Sequence, residues 1–399
     1  MTTKKKPLSI YIHIPFCVRK CKYCDFLSGP ATDQNKAEYI SALLQEIKSY
    51  RTLFTEYEIK TVFIGGGTPS SVNATDIANI LRTLEETAVF SLKNHPEIET
   101  TIEINPGTIT KEKLILYKEA GINRISFGLQ STNNKELRLL GRIHTFEEFV
   151  ENYWMAREVG FKNINIDLMS ALPGQTLESY EATLNQVLAL NPEHISAYSL
   201  IIEEGTPFYE MYGEDAKVTP KESLPSEEAE RQMYDLTRRL LHEHGYERYE
   251  ISNYAKEGYE CKHNCTYWRR GEYLGLGCGA ASLIGHTRFG KISETEEYVE
   301  VASKLSCDAL PKELYVNVEH LTTEDEMSEF MFLGLRMMQG VCMTEFEACF
   351  KKTISEVYSN VLPELYKKNL IEEVDGRIAL TLHGIDISNY VMSEFLLDS

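Results

Sequence analysis

From about residue 10 to residue 290, short β-branched or apolar runs alternate with longer segments of helical period, and this alternation limits the chain to few folds. Strands are predicted at 10–14, 61–64, 100–104, 124–128, 163–168 and 194–200, with helices at 36–50, 75–87, 111–120, 146–159 and 177–190. Repeated strand–loop–helix units predict parallel strands joined by right-handed crossovers. Six such units make a partial or full β/α barrel, or a doubly wound sheet. In either fold the chemistry belongs at the carboxyl ends of the strands. Polar, Gly/Pro-rich loops fall at those ends, among them Gly65-Gly66-Gly67-Thr68-Pro69 and Asn105-Pro106-Gly107.

The loop after the first strand carries Cys17, Cys21 and Cys24 in a Cys-x3-Cys-x2-Cys spacing. Three thiolates are one short of the four that structural zinc usually takes. The chain shows no secretory signal, since the basic run from Met1 to Pro7 has no apolar stretch behind it, so disulfides are not expected. A [4Fe-4S] cube held by three thiolates keeps one iron free for another ligand, and the spacing fits that use.

Other residues cluster just past predicted strands. The consecutive glycines 65–67 permit close backbone approach to a ligand, or form a plain tight turn. Glu103 and Asp167 stand at strand ends, where either can bind ribose hydroxyls or an ammonium group. Gln130 and Arg142 join the same set, the arginine able to clamp a carboxylate bidentately. Taken singly, each also fits a solvated surface position.

A second cysteine-rich run holds Cys261, His263, Asn264, Cys265, Tyr267 and Trp268. Imidazole or thiolate can ligate heme iron and aromatics can flank a porphyrin. An aromatic strand-and-turn with a satisfied histidine and two incidental thiols fits the residues equally well. Cys261 and Cys265 also make half of a zinc site with no second half in view.

After Pro311 the pattern changes to helices at 324–338, 343–350, 355–368 and 386–397, with a hairpin over 371–382. A winged-helix-like module is expected. From Pro311 onward 7 Lys/Arg stand against 16 Asp/Glu, and the whole chain has a formal charge of -19. Nucleic-acid binding is therefore disfavoured, and a structural or partner-docking role is expected of this module. No stretch approaches the ~18 apolar residues of a membrane span, and a cytoplasmic protein is expected.

Taken together, His13-Ile14-Pro15-Phe16-Cys17, Gly65 to Pro69, Glu103 to Gly107, Phe127 to Ser131 and the His263–Trp268 run are similar to motifs of the oxygen-independent coproporphyrinogen III oxidase superfamily. Within that group the chain looks most like the HemW-type heme chaperones, of the radical S-adenosylmethionine (SAM) class. The resemblance implies an α/β fold: a partial (β/α)6 TIM-like barrel over residues 1–300 and a small C-terminal helical, winged-helix-like domain over 311–399. It implies that Cys17, Cys21 and Cys24 hold a [4Fe-4S] cluster. SAM contacts would fall on Tyr11, Tyr23, Gly66, Gly67, Thr68, Glu103, Gln130, Arg142 and Asp167, and heme contacts on His263, Asn264, Tyr267 and Trp268.

The oxidases carry a further cysteine two residues after the third cluster ligand, where this chain has Phe26, and they lack the His263–Trp268 pattern. Two functions follow from the resemblance. One is a chaperone that binds heme and passes it to acceptor hemoproteins such as respiratory-chain components. The other is a radical SAM enzyme that decarboxylates coproporphyrinogen III to protoporphyrinogen IX. An electron donor such as a flavodoxin or ferredoxin, no nucleic-acid partner and no membrane span are expected in either case.

Overall fold

The computed structural model describes residues 5–307 and 309–397; the first four residues of the basic N-terminal run, Asp308 and the last two positions of the chain lie outside it. Six parallel strands pair in chain order: β1 (Lys6–Ile14), β2 (Tyr57–Gly66), β3 (Glu99–Ile104), β4 (Arg124–Gln130), β5 (Ile164–Ser170) and β6 (His194–Ser199). Each predicted strand and crossover helix is present, with ends shifted by a few residues.

Two extensions widen the sheet beyond the six expected units. β8 (Asn253–Ala255) adds antiparallel to β6, and β7 (Glu247–Glu250) adds antiparallel to β8 at the edge. On the other edge β9 (Tyr273–Leu276) pairs parallel to β1. Beyond it lie β10 (Ser282–Ile284), β11 (Thr287–Lys291) and β12 (Tyr315–His320), all antiparallel. The expected domain break at Pro311 thus falls one strand early, because Tyr315–His320 completes this sheet. The sequence reading also passes over the amphipathic helix Glu227–Glu243, which buries Met233, Leu236, Leu240 and Leu241.

Strand periodicity sorts the side chains into two faces. Ile10, Ile12, Val62, Ile64, Ile102, Ile125, Phe127, Ile164, Ile166 and Ile195 turn to the helix layer and are fully buried. The residues between them face inward, and the strand registers bring them into rows: Tyr11 beside Phe63, Glu103 beside Ser126, Ser126 beside Asn165, and Asp167 beside Ser196. β/α barrels are usually filled by branched apolar side chains. This interior is polar, and so is built to hold something other than its own side chains.

The helices carry their own start and stop signals. Thr145 and Thr176 close capping boxes on Phe146–Val159 and Leu177–Leu190, which end at left-handed Gly160 and Asn191. The C-terminal module has a separate core that includes Met331, Phe346, Leu365, Ile378 and Phe395. Its three-stranded sheet runs β13 (Val341–Cys342), β15 (Arg377–Leu380), β14 (Ile371–Val374), with Asp375 and Gly376 both at positive φ in the hairpin turn.

Three expected helices differ here. The one read as 324–338 is Thr323–Gly334, because Met337 leaves it to bridge Glu250 of β7. The one read as 355–368 is split into Ile354–Val357 and Leu362–Lys367, the second starting around Pro363. The one read as 386–397 is Ser388–Ser393, preceded across Ile387 by a separate short helix Leu382–Asp386.

Candidate functional site: a thiol cradle and the cavity above it

The loop that follows β1 is fixed by its backbone. The Cys17 amide donates to the Gly29 carbonyl (2.9 Å), the Gly29 amide to Pro15 (3.0 Å) and the Lys22 amide to Leu140 (2.9 Å). The imidazole of His13 meets the Leu27 carbonyl at 2.9 Å, and burial lowers its pKa. Held this way, Cys17, Cys21 and Cys24 are free, partly exposed thiols around one small cavity, together with Gly66, Gly67, Thr68, Glu103, Gln130, Arg142 and Asp167.

A chain of polar contacts joins two of the thiols. Cys17 Sγ lies 3.5 Å from Thr68 Oγ1, Asn105 Nδ2 donates to that oxygen (2.6 Å), Arg142 Nη2 donates to Asn105 Oδ1 (2.7 Å), and Arg142 Nη1 reaches Cys21 Sγ at 3.7 Å. Arg142 steadies the cradle, with Nη2 bonded to Asn105 Oδ1 and to the Gly128 carbonyl. Its buried Nε has no hydrogen-bond partner among the described residues.

The glycines fit the cradle reading rather than a plain turn. Gly66 has φ +114°, and a Cβ there would meet the His13 ring at 2.6 Å. A Cβ on Gly67 would lie 2.8 Å from the Phe16 carbonyl and 3.0 Å from Cys17 Sγ. Gln130, a non-glycine residue at φ +74°, turns into the same space at the end of β4.

No three His, Cys, Asp or Glu side chains among the described residues converge on a single-ion centre. An iron–sulfur cube presents its irons at separate corners, so its three thiolates need not meet at one point. The thiols, the close-approach glycines and the buried cationic partner of Cys21 all suit such a group.

Above the cradle opens a cavity of about 460 Å³, sharing Tyr23, Cys24, Glu103, Gln130 and Asp167 with it. Glu103 accepts from the Gly66 amide at 3.1 Å, yet burial, with the Asp167 charge adding, pushes its carboxyl up to about 8. Burial likewise raises Asp167, against hydrogen bonds that include Asn165 Nδ2 at 2.7 Å. Two buried carboxylates with too few cations nearby are a place for a positively charged ligand.

Tyr11 lines this upper cavity and not the cradle; its hydroxyl lies 3.0 Å from His13 Nδ1. Arg124, Asn105, Ser126 and Tyr198 also line the two spaces; of these only Asn105 lies in a loop that the sequence flags. The inward positions of Arg124, Ser126 and Tyr198 follow from counting alternate residues along β4 and β6, and Asn105 lies in the loop just past β3.

The second cysteine-rich run forms the helix Lys262–Trp268, and not a strand-and-turn. Cys261, at its N-cap, supplies no side-chain cap; Glu99 of β3 does so from outside, accepting from the amides of Lys262 (3.1 Å) and His263 (3.0 Å). His263 is 1% exposed, with one ring nitrogen 2.7 Å from Thr61 Oγ1 and the other 2.9 Å from the Tyr267 hydroxyl. Burial brings its pKa down to about 3, so the ring is neutral. The satisfied histidine is what the structure shows; iron ligation by His263 requires breaking one of these bonds. Asn264 and Tyr267 line the upper cavity with it, whereas Trp268 lies under the Arg336 guanidinium at 4.2 Å.

The radical SAM superfamily model matches residues 11–187, and the HemN C-terminal domain model matches residues 321–387. The chain is 37% identical over 389 residues to the heme chaperone HemW of Bacillus subtilis, covering 97% of this chain and 99% of that one. Against HemW of Escherichia coli it is 34% identical over 396 residues, covering 99% and 100%. The solved structure of coproporphyrinogen III oxidase HemN from Escherichia coli, a radical SAM enzyme, is 26% identical with a TM-score of 0.83, over 98% of this chain and 90% of that one.

Proposed function

Because the chain belongs to the HemW heme-chaperone family within the radical SAM superfamily, we propose that it binds heme and passes it to acceptor hemoproteins. The observation that carries this reading is the full-length likeness to proteins named heme chaperones, together with Phe26 in the place of the oxidases' additional cysteine.

The cradle supports a second element of the proposal. Cys17, Cys21 and Cys24 would hold a [4Fe-4S] cluster, and Gly66, Gly67, Thr68, Glu103, Gln130 and Asp167 would hold SAM beside it, with Tyr11 and Tyr23 bounding the space above. When bound, the cluster supplies single electrons from a flavodoxin- or ferredoxin-like donor. This chain's own residues orient and shield. Thr68, Asn105 and Arg142 hold the positions of Cys17 and Cys21, and the neutral His263 closes the inner wall of the upper cavity. Glu103 holds a proton until a cation arrives. No helix of the described residues is long and apolar enough to cross a membrane, so delivery to a membrane-bound acceptor would rest on protein contact.

Anaerobic titration of cluster-loaded protein with hemin, followed by mixing with an apo-hemoprotein, tests the reading. Saturable binding and onward transfer are expected; absence of binding removes it. One observation favours the oxidase alternative, namely the close backbone match to HemN. Vinyl product from coproporphyrinogen III with reductant and SAM would move the assignment there.

A further inference from the structure

The two large cavities differ in where their cations lie. A lower one, about 570 Å³ at the opposite end of the sheet, runs against Leu8 and Ser9 at the start of β1. Of its cations, Arg248 is bonded to Tyr234 and the Ile251 carbonyl, while Lys60, Lys262 and Arg269 are exposed. Exposed cations keep their water and call for no ligand. In the upper cavity Arg124 is the one lysine or arginine of the lining among the described residues, and it is 2% exposed. It opens β4, at the deep end of the space, and takes no part in the cradle.

Arg124 is unmatched. Among the described residues its guanidinium makes no hydrogen bond and no ion pair, and its Nε is fully buried. The carboxylates nearest to it are engaged elsewhere. Glu99 accepts from the amides of Lys262 (3.1 Å) and His263 (3.0 Å) and from the Cys261 thiol. Asp167 accepts from Asn165 Nδ2 (2.7 Å) and Ser126 Oγ (3.4 Å). A guanidinium cannot shed its charge, and a buried cation without hydrogen-bonded partners is costly. Asn264, on the helix Lys262–Trp268, lines the same cavity with a side-chain amide that is likewise unbonded among the described residues.

Much of the remaining wall is apolar or aromatic. Tyr11, Phe63, Met169 and Tyr267 contribute to it, and Phe26 and Ile201, 62% and 67% exposed, form part of the rim. Such a space with one guanidinium at its deep end suits a flat, largely apolar ligand that carries a carboxylate. We propose that Arg124 is the carboxylate anchor of the upper cavity and takes a propionate of the tetrapyrrole in a bidentate ion pair. The assignment rests on the heme binding proposed above. Glu103 does not oppose it at neutral pH, because its carboxyl titrates near 8. The methionyl end of SAM is a second source of carboxylate. Arg124 stands outside the cradle proposed to hold SAM, and this favours the propionate.

The test is anaerobic absorption titration of full-length, cluster-loaded protein with hemin and with hemin dimethyl ester, in which both carboxylates are masked. Wild type is expected to bind the free acid about 10- to 100-fold more tightly than the ester. Arg124→Met is expected to weaken the free acid by that factor, leave the ester unchanged and so erase the difference; Arg124→Lys should restore part of it. An arginine that only supports the fold would lower both affinities together, which overturns the anchor. Equal binding of acid and ester by wild type overturns it too, and needs no variant to fold. SAM and decarboxylated SAM, compared by calorimetry, separate the second source. If Arg124→Met erases a preference for SAM and leaves the preference for free hemin intact, the guanidinium belongs to SAM and the propionate assignment falls. Wild-type protein that binds neither form of hemin removes the function and the anchor together, whereas equal binding of the two removes the anchor alone.

Discussion

The loop after β1 places three thiols within eight residues, and the segment opening helix Lys262–Trp268 places two within five. Their surroundings differ more than their sequences. In the loop the thiols stay partly exposed around a common cavity, with Arg142 and Thr68 as polar neighbours. In the helix Cys261 is fully buried and donates to Glu99 at 3.5 Å, and burial pushes both thiols up. A thiol becomes a metal ligand where its thiolate is tolerated, and burial with the Glu99 charge nearby opposes that at both positions. Spacing nominates both segments; access and charge separate them.

The most severe break of this comparison is removal of the ligands themselves. Cys17→Ala, Cys21→Ala and Cys24→Ala are each expected to abolish iron and sulfide incorporation on reconstitution. Cys261→Ser and Cys265→Ser are expected to leave it intact. Iron and sulfide analysis reads the result directly. A cluster retained in the Cys24→Ala protein would take the loop out of its assigned role.

Next in size is the proton on Glu103. Its carboxyl titrates near 8 because burial, with Asp167 adding, disfavours the charged form. A cationic ligand favours the carboxylate, so binding below that pH releases a proton. SAM affinity is therefore expected to rise about tenfold per pH unit up to about pH 8 and to level off above it. Glu103→Gln removes the slope and weakens binding at pH 8 by about 10- to 100-fold. Calorimetry in buffers of different ionisation enthalpy measures both. An equally steep profile in the variant would place the proton on another group.

A smaller effect is expected from Gly67→Ala, whose Cβ needs the Phe16 carbonyl and Cys17 Sγ to move by several tenths of an ångström. Cluster occupancy should fall several-fold. Gly29→Ala, in the same loop with nothing within 4 Å of the added Cβ, should load normally. Equal loading of the two proteins would mean that the cradle tolerates a shifted Cys17.

The parts of the site that sequence made legible are those built from one strand and its following loop. Cys17 to Cys24, the three glycines, Glu103 and Asp167 each announce themselves locally, and strand alternation turns them inward. Glu99 and Arg124 escaped because they stand at strand beginnings, where no loop signal flags them, and because their partners lie far along the chain. Glu99 meets Lys262 and His263, 163 and 164 positions away. The lower cavity was invisible for the same reason, since its walls come from β1, β7, the Lys262–Trp268 helix and Met337 to Gln339. The helix read through to 338 hid that last wall, because local periodicity cannot show that Met337 pairs with Glu250.

Glu99 offers the finest test of whether the two cysteine segments are independent. The helix Lys262–Trp268 lacks a side-chain cap of its own, and this one carboxylate satisfies two amides at its N-terminus and the Cys261 thiol. Losing such a cap costs about 1 kcal/mol, with the charge near the helix N-terminus contributing part of it. Glu99→Gln keeps the shape and one acceptor, so melting is expected to drop by only a degree or two. Amide exchange should rise locally at Lys262 and His263, because their acceptor is weakened while the sheet stays paired. Cluster content should be unchanged, since Glu99 is no part of the cradle. A coordinated loss of cluster would instead mean that the inward polar rows of β2 and β3 transmit the helix position to the loop, through Thr61 on His263 and Glu103 on Gly66.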